Sequence, residues 1–238
     1  HLQNAIRQLY KDDAAKYVET AGRNLLVRRI YDMISSQMEN KKKRIVAKNI
    51  QDKYGDRFDR YEEEFEYLVS SGIVLDVHAV SNPRYPLSES VQKNLLKLYL
   101  NDVGMLTAQL YANNIQAVMR DERSINLGAV YESVVAQELA AHGFSLFYYD
   151  NRKNGEVDYL IDDYESLSVL PIEVKSGRDY TIHSALNKLL SNTDYHIKSA
   201  IVVSNERIVR QVGNVKYLPI YYIMFLDKED MGSEEVFF

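Results

Sequence analysis

Residues 155–177 read GEVDYLIDDYESLSVLPIEVKSG, and this stretch decides the fold that the sequence predicts. Two apolar runs, 156–161 and 169–174, have the length and composition of β-strands. The polar segment between them is typical of a turn. We therefore expect two neighbouring strands here, around which the rest of the chain is organised.

Both predicted strands carry charged side chains. Successive side chains of a strand point to opposite faces, so Glu173 and Lys175 share one face. By the same alternation, Asp158 shares its face with Glu156 and Leu160. If the strands pair, two carboxylates and one ammonium group converge at their ends. Such a set is the minimum equipment for holding a hard divalent cation and a phosphate.

Periodicity and turn signals predict further elements around this pair. The C-terminal part has predicted helices over 127–142 and 183–190, and strands over 145–149, 156–161, 169–174, 198–203 and 217–225. This order predicts an α/β domain with a mixed sheet. Glu132 lies beside the apolar stripe of the first of these helices, which ends near Gly143.

The N-terminal part reads as mainly helical. Helices are predicted over 1–22, 24–38, 45–54 and 57–71, and Gly22, Gly55 and Gly72 end the first, third and fourth of them. They are followed by a strand over 73–80, a linker over 88–94 and a strand over 95–100. A helix over 103–112, capped by Asp102, and a loop over 113–123 complete this part. Three helices followed by a β-wing form the winged-helix order.

Charge argues against DNA reading by this winged helix. Its last helix carries four glutamates, at positions 62, 63, 64 and 66, and residues 24–87 contain 11 basic and 10 acidic residues. The basic run 41–44 is interpreted as a solvated loop. Because the acidic helix would repel phosphate, we favour a protein partner for this region.

Composition restricts the class of protein. The 238 residues carry a net charge of −5 and include no cysteine, which excludes disulfides and thiolate metal sites and fits a reducing compartment. The longest apolar run, 218–226, is far shorter than the roughly 20 residues of a membrane helix. We therefore expect a cytoplasmic protein with no membrane partner. Five scattered histidines predict no zinc site, and the sequence has no GxxxxGK[ST] motif for a P-loop.

Four residues are the candidates for catalysis: Glu132, Asp158, Glu173 and Lys175, with Glu156 as a weaker one. Carboxylates that hold Mg²⁺ neutralise a scissile phosphate and produce a nucleophilic water, while a lysine stabilises developing charge. The alternative is a structural ion pair between Asp158 and Lys175. An isolated carboxylate among apolar strand residues is costly without a partner or a metal, so Asp158 is the most informative of the four.

The order Glu132, Asp158, Glu173-Val174-Lys175 resembles the PD-(D/E)XK, or restriction-endonuclease-like, superfamily. The segments GAVYESVVAQEL, GEVDYLI and PIEVKSG are more similar still to the C-terminal domain that follows an AAA-type P-loop ATPase in many bacterial and archaeal proteins. KLYLNDVGML and YEEEFEYLVSSGIVLDV match that family too, including its winged helix. The resemblance covers about residues 24–226, and Val157 stands where the superfamily name implies proline.

This resemblance implies the C-terminal portion of such an ATPase, with ATP bound only through the missing upstream domain. The family's catalytic positions correspond to Glu132, Asp158, Glu173 and Lys175, and its Mg²⁺ ligands to Asp158, Glu173 and Glu132. The implied domains are a connecting helix (1–22), a winged-helix domain (23–87), a restriction-endonuclease-like domain (95–226) and a tail (227–238). Because the chain begins at His1, we expect a processed, tagged or truncated form.

Two functions remain open at this point. The first is a Mg²⁺-dependent nuclease-like domain that acts on DNA. The second is a catalytically inert interaction or regulatory module for the ATPase, and it is favoured by the acidic winged helix and by the 12 basic and 15 acidic residues within 95–226.

Overall fold

The computed structural model describes residues 2–16, 21–40, 43–51, 57–111, 115–120, 127–177 and 179–228. The chain divides into two compact units. Unit 1 is His1–Asp76 with Asn94–Ser133, and unit 2 is Val77–Lys93 with Val134–Phe238. The consecutive domains expected from the sequence divide the chain differently, and their boundaries remain a prediction.

Helices dominate the N-terminal part. The described elements are α1 (Leu2–Lys16), α2 (Ala21–Met38), α3 (Ala47–Ile50), a 3₁₀ helix (Phe58–Tyr61), α4 (Glu62–Ser70), α5 (Val103–Leu110) and α6 (Ile115–Met119). Asp102 caps α5 as predicted, because its side chain accepts a hydrogen bond of 2.7 Å from the Gly104 N–H. Two predictions are wrong: Gly22 lies inside α2 instead of ending a helix, and α6 lies where a loop was expected.

The strands form one sheet. They are β1 (Val74–Val80), β2 (Val91–Leu100), β3 (Phe147–Asn151), β4 (Gly155–Asp163), β5 (Ser168–Lys175), β6 (Ala200–Ser204), β7 (Arg210–Val212) and β8 (Val215–Pro219). Their order among the described residues is β2-β1-β3-β4-β5-β6-β8-β7. The β5–β6 and β6–β8 pairs are parallel, whereas β3–β4, β4–β5 and β7–β8 are antiparallel. The predicted α/β class, with N-terminal helices followed by a mixed sheet, is confirmed.

Several strand predictions need correction. The predicted linker 88–94 contains a 3₁₀ helix (Leu87–Ser90) and the start of β2, which begins before residue 95. The strand predicted over 217–225 ends at Pro219, and Ile220–Phe225 forms a 3₁₀ helix. β7 was not predicted, because three exposed residues carry no hydrophobic alternation. The strand expected to be a wing, β1, pairs in parallel with β3.

The last two helices are α7 (Gly128–Ala141) and α8 (Ser184–Leu190), close to their predicted ranges. Gly143, with φ of 79°, follows α7 in the left-handed conformation that its predicted role as a cap requires. Within unit 2, α8 packs on one face of the sheet, where Leu186 and Leu189 join a buried cluster with Val202 and Tyr217. Burial of this apolar face holds the strands that carry the motif.

Some predictions fall on residues outside the described ranges. These are the end of the first helix at 17–20, the start of the basic run at 41–42, the end of the third helix at 52–56, parts of 112–126, and the tail at 229–238. In the described part of the chain, no helix has the length and hydropathy needed to cross a membrane.

Candidate functional site

The motif stretch lies where β4 and β5 separate. Their antiparallel pairing runs from Asp163 and Ser168 to Tyr159 and Ile172. The next residue of β4, Asp158, lies beyond the Tyr159–Ile172 pair, and its side chain accepts a hydrogen bond of 2.8 Å from the Val174 N–H. A carboxylate oxygen therefore takes the place of a backbone carbonyl as the partner of this amide.

The register between β3 and β4 shifts at the same point. Phe147 pairs with Leu160, whereas Tyr149 pairs with Val157, so three steps along β4 correspond to two along β3. The extra residue is a β-bulge, a feature that commonly re-aims side chains beside functional sites. Asp158 lies within it. The bulge therefore interrupts the alternation of side chains from which the sequence placed Asp158 on the same face as Leu160. In agreement with this, Val157 and Leu160 lie three residues apart and yet belong to the same buried cluster.

Glu173 is the most constrained charge of this site. Its side chain is buried, with 5% of the residue exposed, and its Oε1 accepts a hydrogen bond of 2.8 Å from Lys175 Nζ. Its Oε2 is also buried and has no hydrogen-bond partner among the described residues. Burial raises the pKa of the Glu173 carboxyl, and the neighbouring Lys175 ammonium and, to a smaller extent, the Asp158 N–H oppose that rise. One carboxylate oxygen is thus held by a lysine, and the other is buried without a hydrogen bond in the described part of the chain.

The structure therefore brings together three of the predicted site residues, Asp158, Glu173 and Lys175, within unit 2. Glu156, the weaker candidate, lies opposite Asp150 in the β3–β4 pairing and is half-buried.

Glu132 belongs to unit 1, and its described contacts lie there. Only 6% of the residue is exposed. Lys43 Nζ donates a hydrogen bond of 2.6 Å to Glu132 Oε1, and the Tyr99 hydroxyl lies 3.4 Å from Oε2. Both oxygens of this carboxylate are therefore engaged by side chains of its own unit. Its role as a metal ligand remains a prediction.

Sequence reasoning missed His183, the residue that precedes α8. It is buried, its Nε2 lies 2.7 Å from the Tyr217 hydroxyl, and its Nδ1 has no partner in the described part of the chain. A positive charge on His183 would lower the pKa of Glu173. The sequence offered no signal for this residue, because the histidines have no regular spacing.

The donor set can be tested against the predicted Mg²⁺. Among the described residues, no group of three or more histidines, aspartates or glutamates is arranged to hold a metal ion. Mg²⁺ in proteins is usually bound through one or two carboxylates together with water. Asp158 and Glu173 fit this smaller requirement, since the buried Oε2 of Glu173 accepts no hydrogen bond within the described ranges.

Two family models match parts of the chain. A domain of unknown function (DUF8612) matches residues 1–116, and another domain of unknown function (DUF4143) matches residues 127–223. No curated protein and no solved structure matches the chain. The segment with Asp158, Glu173 and Lys175 is therefore similar to DUF4143, and the N-terminal helices are similar to DUF8612.

Proposed function

We propose that this chain is the C-terminal portion of an AAA-type ATPase and that its Asp158–Glu173–Lys175 site is a divalent-metal-dependent nuclease site acting on DNA phosphodiesters. The observation that carries the proposal is the incomplete hydrogen bonding of the buried Glu173 carboxylate. A buried carboxylate with one oxygen on a lysine and the other without a partner is costly to fold, and this cost is typical of functional sites.

Each residue has a role that follows from its contacts. Asp158 and Glu173 are the residues that would hold Mg²⁺, which when bound supplies charge neutralisation and an activated water. The Val174 N–H fixes the position of the Asp158 carboxylate through its 2.8 Å hydrogen bond. The Lys175 side chain is 27% exposed, so its ammonium can turn from Glu173 towards a phosphate oxygen and stabilise its charge.

The link to an ATPase comes from the family match. DUF4143 follows an AAA-type ATPase domain in some proteins. In the proposal, ATP binds only to that upstream domain, which is also a partner of this chain. We place the protein in the cytoplasm, in keeping with a sequence free of cysteine.

DNA cleavage tests the proposal directly. The chain is incubated with single-stranded, duplex and branched DNA in the presence of Mg²⁺ or Mn²⁺. We expect metal-dependent cleavage that falls about 100-fold or more in Glu173→Gln, because one catalytic carboxylate is removed. The matched control is Glu165→Gln, which changes an exposed glutamate in the turn between β4 and β5 and should leave cleavage intact. Absence of cleavage with all three substrates and both metals would overturn it.

The second candidate is a catalytically inert module that regulates the ATPase through protein contact. One observation favours it: three glutamates of the acidic helix α4, at positions 62, 63 and 66, are exposed. Arg23 of unit 1 offsets only part of this charge, through ion pairs of 2.6 Å with Glu63 and 2.9 Å with Glu64. Such a helix suits a basic protein surface better than DNA. In this case, the full-length protein would show an ATP hydrolysis rate that changes with Glu63→Lys but not with Glu173→Gln.

A further inference from the structure

One row of side chains crosses four strands of unit 2 and begins at Glu173. Glu173 on β5 pairs with Val202 on β6, Val202 pairs with Tyr217 on β8, and Tyr217 pairs with Arg210 on β7. Register partners place their side chains on the same face of a sheet. With strands about 4.8 Å apart, the backbones of Glu173 and Arg210 are separated by roughly 14 Å along this row.

Tyr217 is the fixed point of the row. Its hydroxyl lies 2.7 Å from His183 Nε2, and the ring of Tyr180 approaches it edge-on at 5.8 Å between centroids. Tyr217 itself is buried. These contacts fix the orientation of the Tyr217 ring, which Arg210 contacts.

Arg210 is the exposed end of the row. Its guanidinium lies 5.0 Å from the centroid of the Tyr217 ring, in a cation–π arrangement, on the strand at the edge of the sheet. In the ranges that the structure describes, it forms no ion pair with a carboxylate. Stacking on an aromatic ring orients the planar guanidinium without occupying its N–H donors, which match the geometry of a phosphate.

We propose that Arg210 binds a backbone phosphate of the DNA strand whose scissile phosphate lies at Glu173. This inference rests on the proposed nuclease function and adds a substrate-binding residue to it. At a rise of 3.4 Å per nucleotide along the axis of B-form DNA, a separation of roughly 14 Å along that axis corresponds to about four nucleotides. Arg210 would then hold the strand in register while Asp158 and Glu173 act on it.

A structural role for Arg210 predicts a different result. The cation–π contact could serve only to hold the β7–β8 hairpin, in which case removing it would change stability and not DNA binding. Arg210→Gln removes the charge and keeps much of the side-chain length. Arg207→Gln is the matched control, because Arg207 is an exposed arginine three residues earlier in the chain. Urea denaturation of both variants measures any effect on folding.

The experiment is a fluorescence-anisotropy titration of labelled single-stranded and duplex DNA in EDTA, which prevents cleavage, over a series of salt concentrations. We expect Arg210→Gln to weaken binding about tenfold, since a charge-assisted phosphate contact is lost. The plot of log K against log salt should also become less steep, because the magnitude of its negative slope decreases by about 0.7 for single strands or 0.9 for duplex when one phosphate contact is lost. Arg207→Gln should bind like the wild type.

The outcomes separate the two proposals. If the wild type cleaves and binds DNA but Arg210→Gln matches Arg207→Gln in affinity and salt slope, the inference about Arg210 is wrong and the nuclease function stands. If the wild type binds neither single-stranded nor duplex DNA, both are overturned. Loss of binding confined to one DNA form supports Arg210 and identifies the form that the site receives.

Discussion

Two buried glutamates, one in each unit, show how similar chemistry serves different ends. Glu132 is 6% exposed and Glu173 is 5% exposed, and each accepts a short hydrogen bond from a lysine, of 2.6 Å from Lys43 and 2.8 Å from Lys175. They differ at the second oxygen. Glu132 Oε2 is approached by the Tyr99 hydroxyl, whereas Glu173 Oε2 has no partner in the described part of the chain.

The difference separates a carboxylate that stabilises the fold from one that costs it stability. Removing a buried charge that is fully hydrogen-bonded strongly destabilises the fold, because its partner is left buried without a counter-charge. A buried carboxylate that is satisfied on one side only carries a desolvation cost that the fold must offset elsewhere. The comparison therefore leads us to propose a structural role for the Lys43–Glu132 pair, while the predicted role of Glu132 as a metal ligand stays a prediction, and Glu173 is the residue that we expect to meet a ligand.

The largest expected effect comes from making the same change at both positions. We expect Glu132→Gln to lower the free energy of unfolding by about 3 kcal/mol, because Lys43 loses its buried counter-charge. Glu173→Gln should lower it by less than about 1 kcal/mol, because removing the charge also removes a desolvation cost. Urea denaturation at neutral pH measures both. Equal losses, or a larger loss at Glu173, would break the comparison.

A smaller effect concerns the pH dependence of stability. Burial raises the pKa of Glu173 above its ordinary value of 4.5, so the carboxyl of Glu173 binds a proton more tightly in the folded protein than in the unfolded chain. The resulting stabilisation is complete below the ordinary pKa and is lost as the pH rises through the raised pKa. We therefore expect Glu173→Gln to gain stability relative to the wild type as the pH rises over this window, as followed by thermal unfolding.

Asp162 provides a check on this pH effect away from the motif. Burial raises its pKa above the ordinary 3.8, while the Leu87 N–H, 3.0 Å from Oδ1, opposes the rise. Asp162→Asn should therefore show the same sign, with relative stability that increases from acidic to neutral pH. An opposite sign for either variant would contradict the assignment of burial as the dominant cause.

The smallest expected effect is at Tyr99. The 3.4 Å contact between its hydroxyl and Glu132 is long for a hydrogen bond. Tyr99→Phe should therefore cost at most about 1 kcal/mol of unfolding free energy, with Lys43 still holding the other oxygen. A loss as large as that of Glu132→Gln would show that the hydroxyl, and not the lysine, is the main partner of this carboxylate.

The sequence predicted the motif better than its surroundings. The two-residue spacing of Glu173 and Lys175 is a local property of a strand, and the 2.8 Å pair follows from it. The bulge at Asp158 was not predictable, because it appears only when β4 is aligned with β3. The same holds for Lys43, which reaches Glu132 from 89 positions away in the chain.

The register between strands that are distant in the chain could not be predicted from the sequence either. Arg210 lies 37 positions after Glu173, on a strand too short and too exposed to be recognised, and only the strand pairings place both in one row. The apolar stripes of the helices, by contrast, predicted most of their ranges, because helical periodicity is encoded within each segment.

The central claim is that Asp158 and Glu173 bind a divalent metal, and isothermal titration calorimetry with Mn²⁺ tests it most directly. We expect the wild type and Glu132→Gln to bind the metal with similar affinity, and Asp158→Asn and Glu173→Gln to lose binding. Loss in Glu132→Gln, with its fold intact, would instead make Glu132 a ligand. Identical, negligible heats for the wild type and for both motif variants would contradict the account.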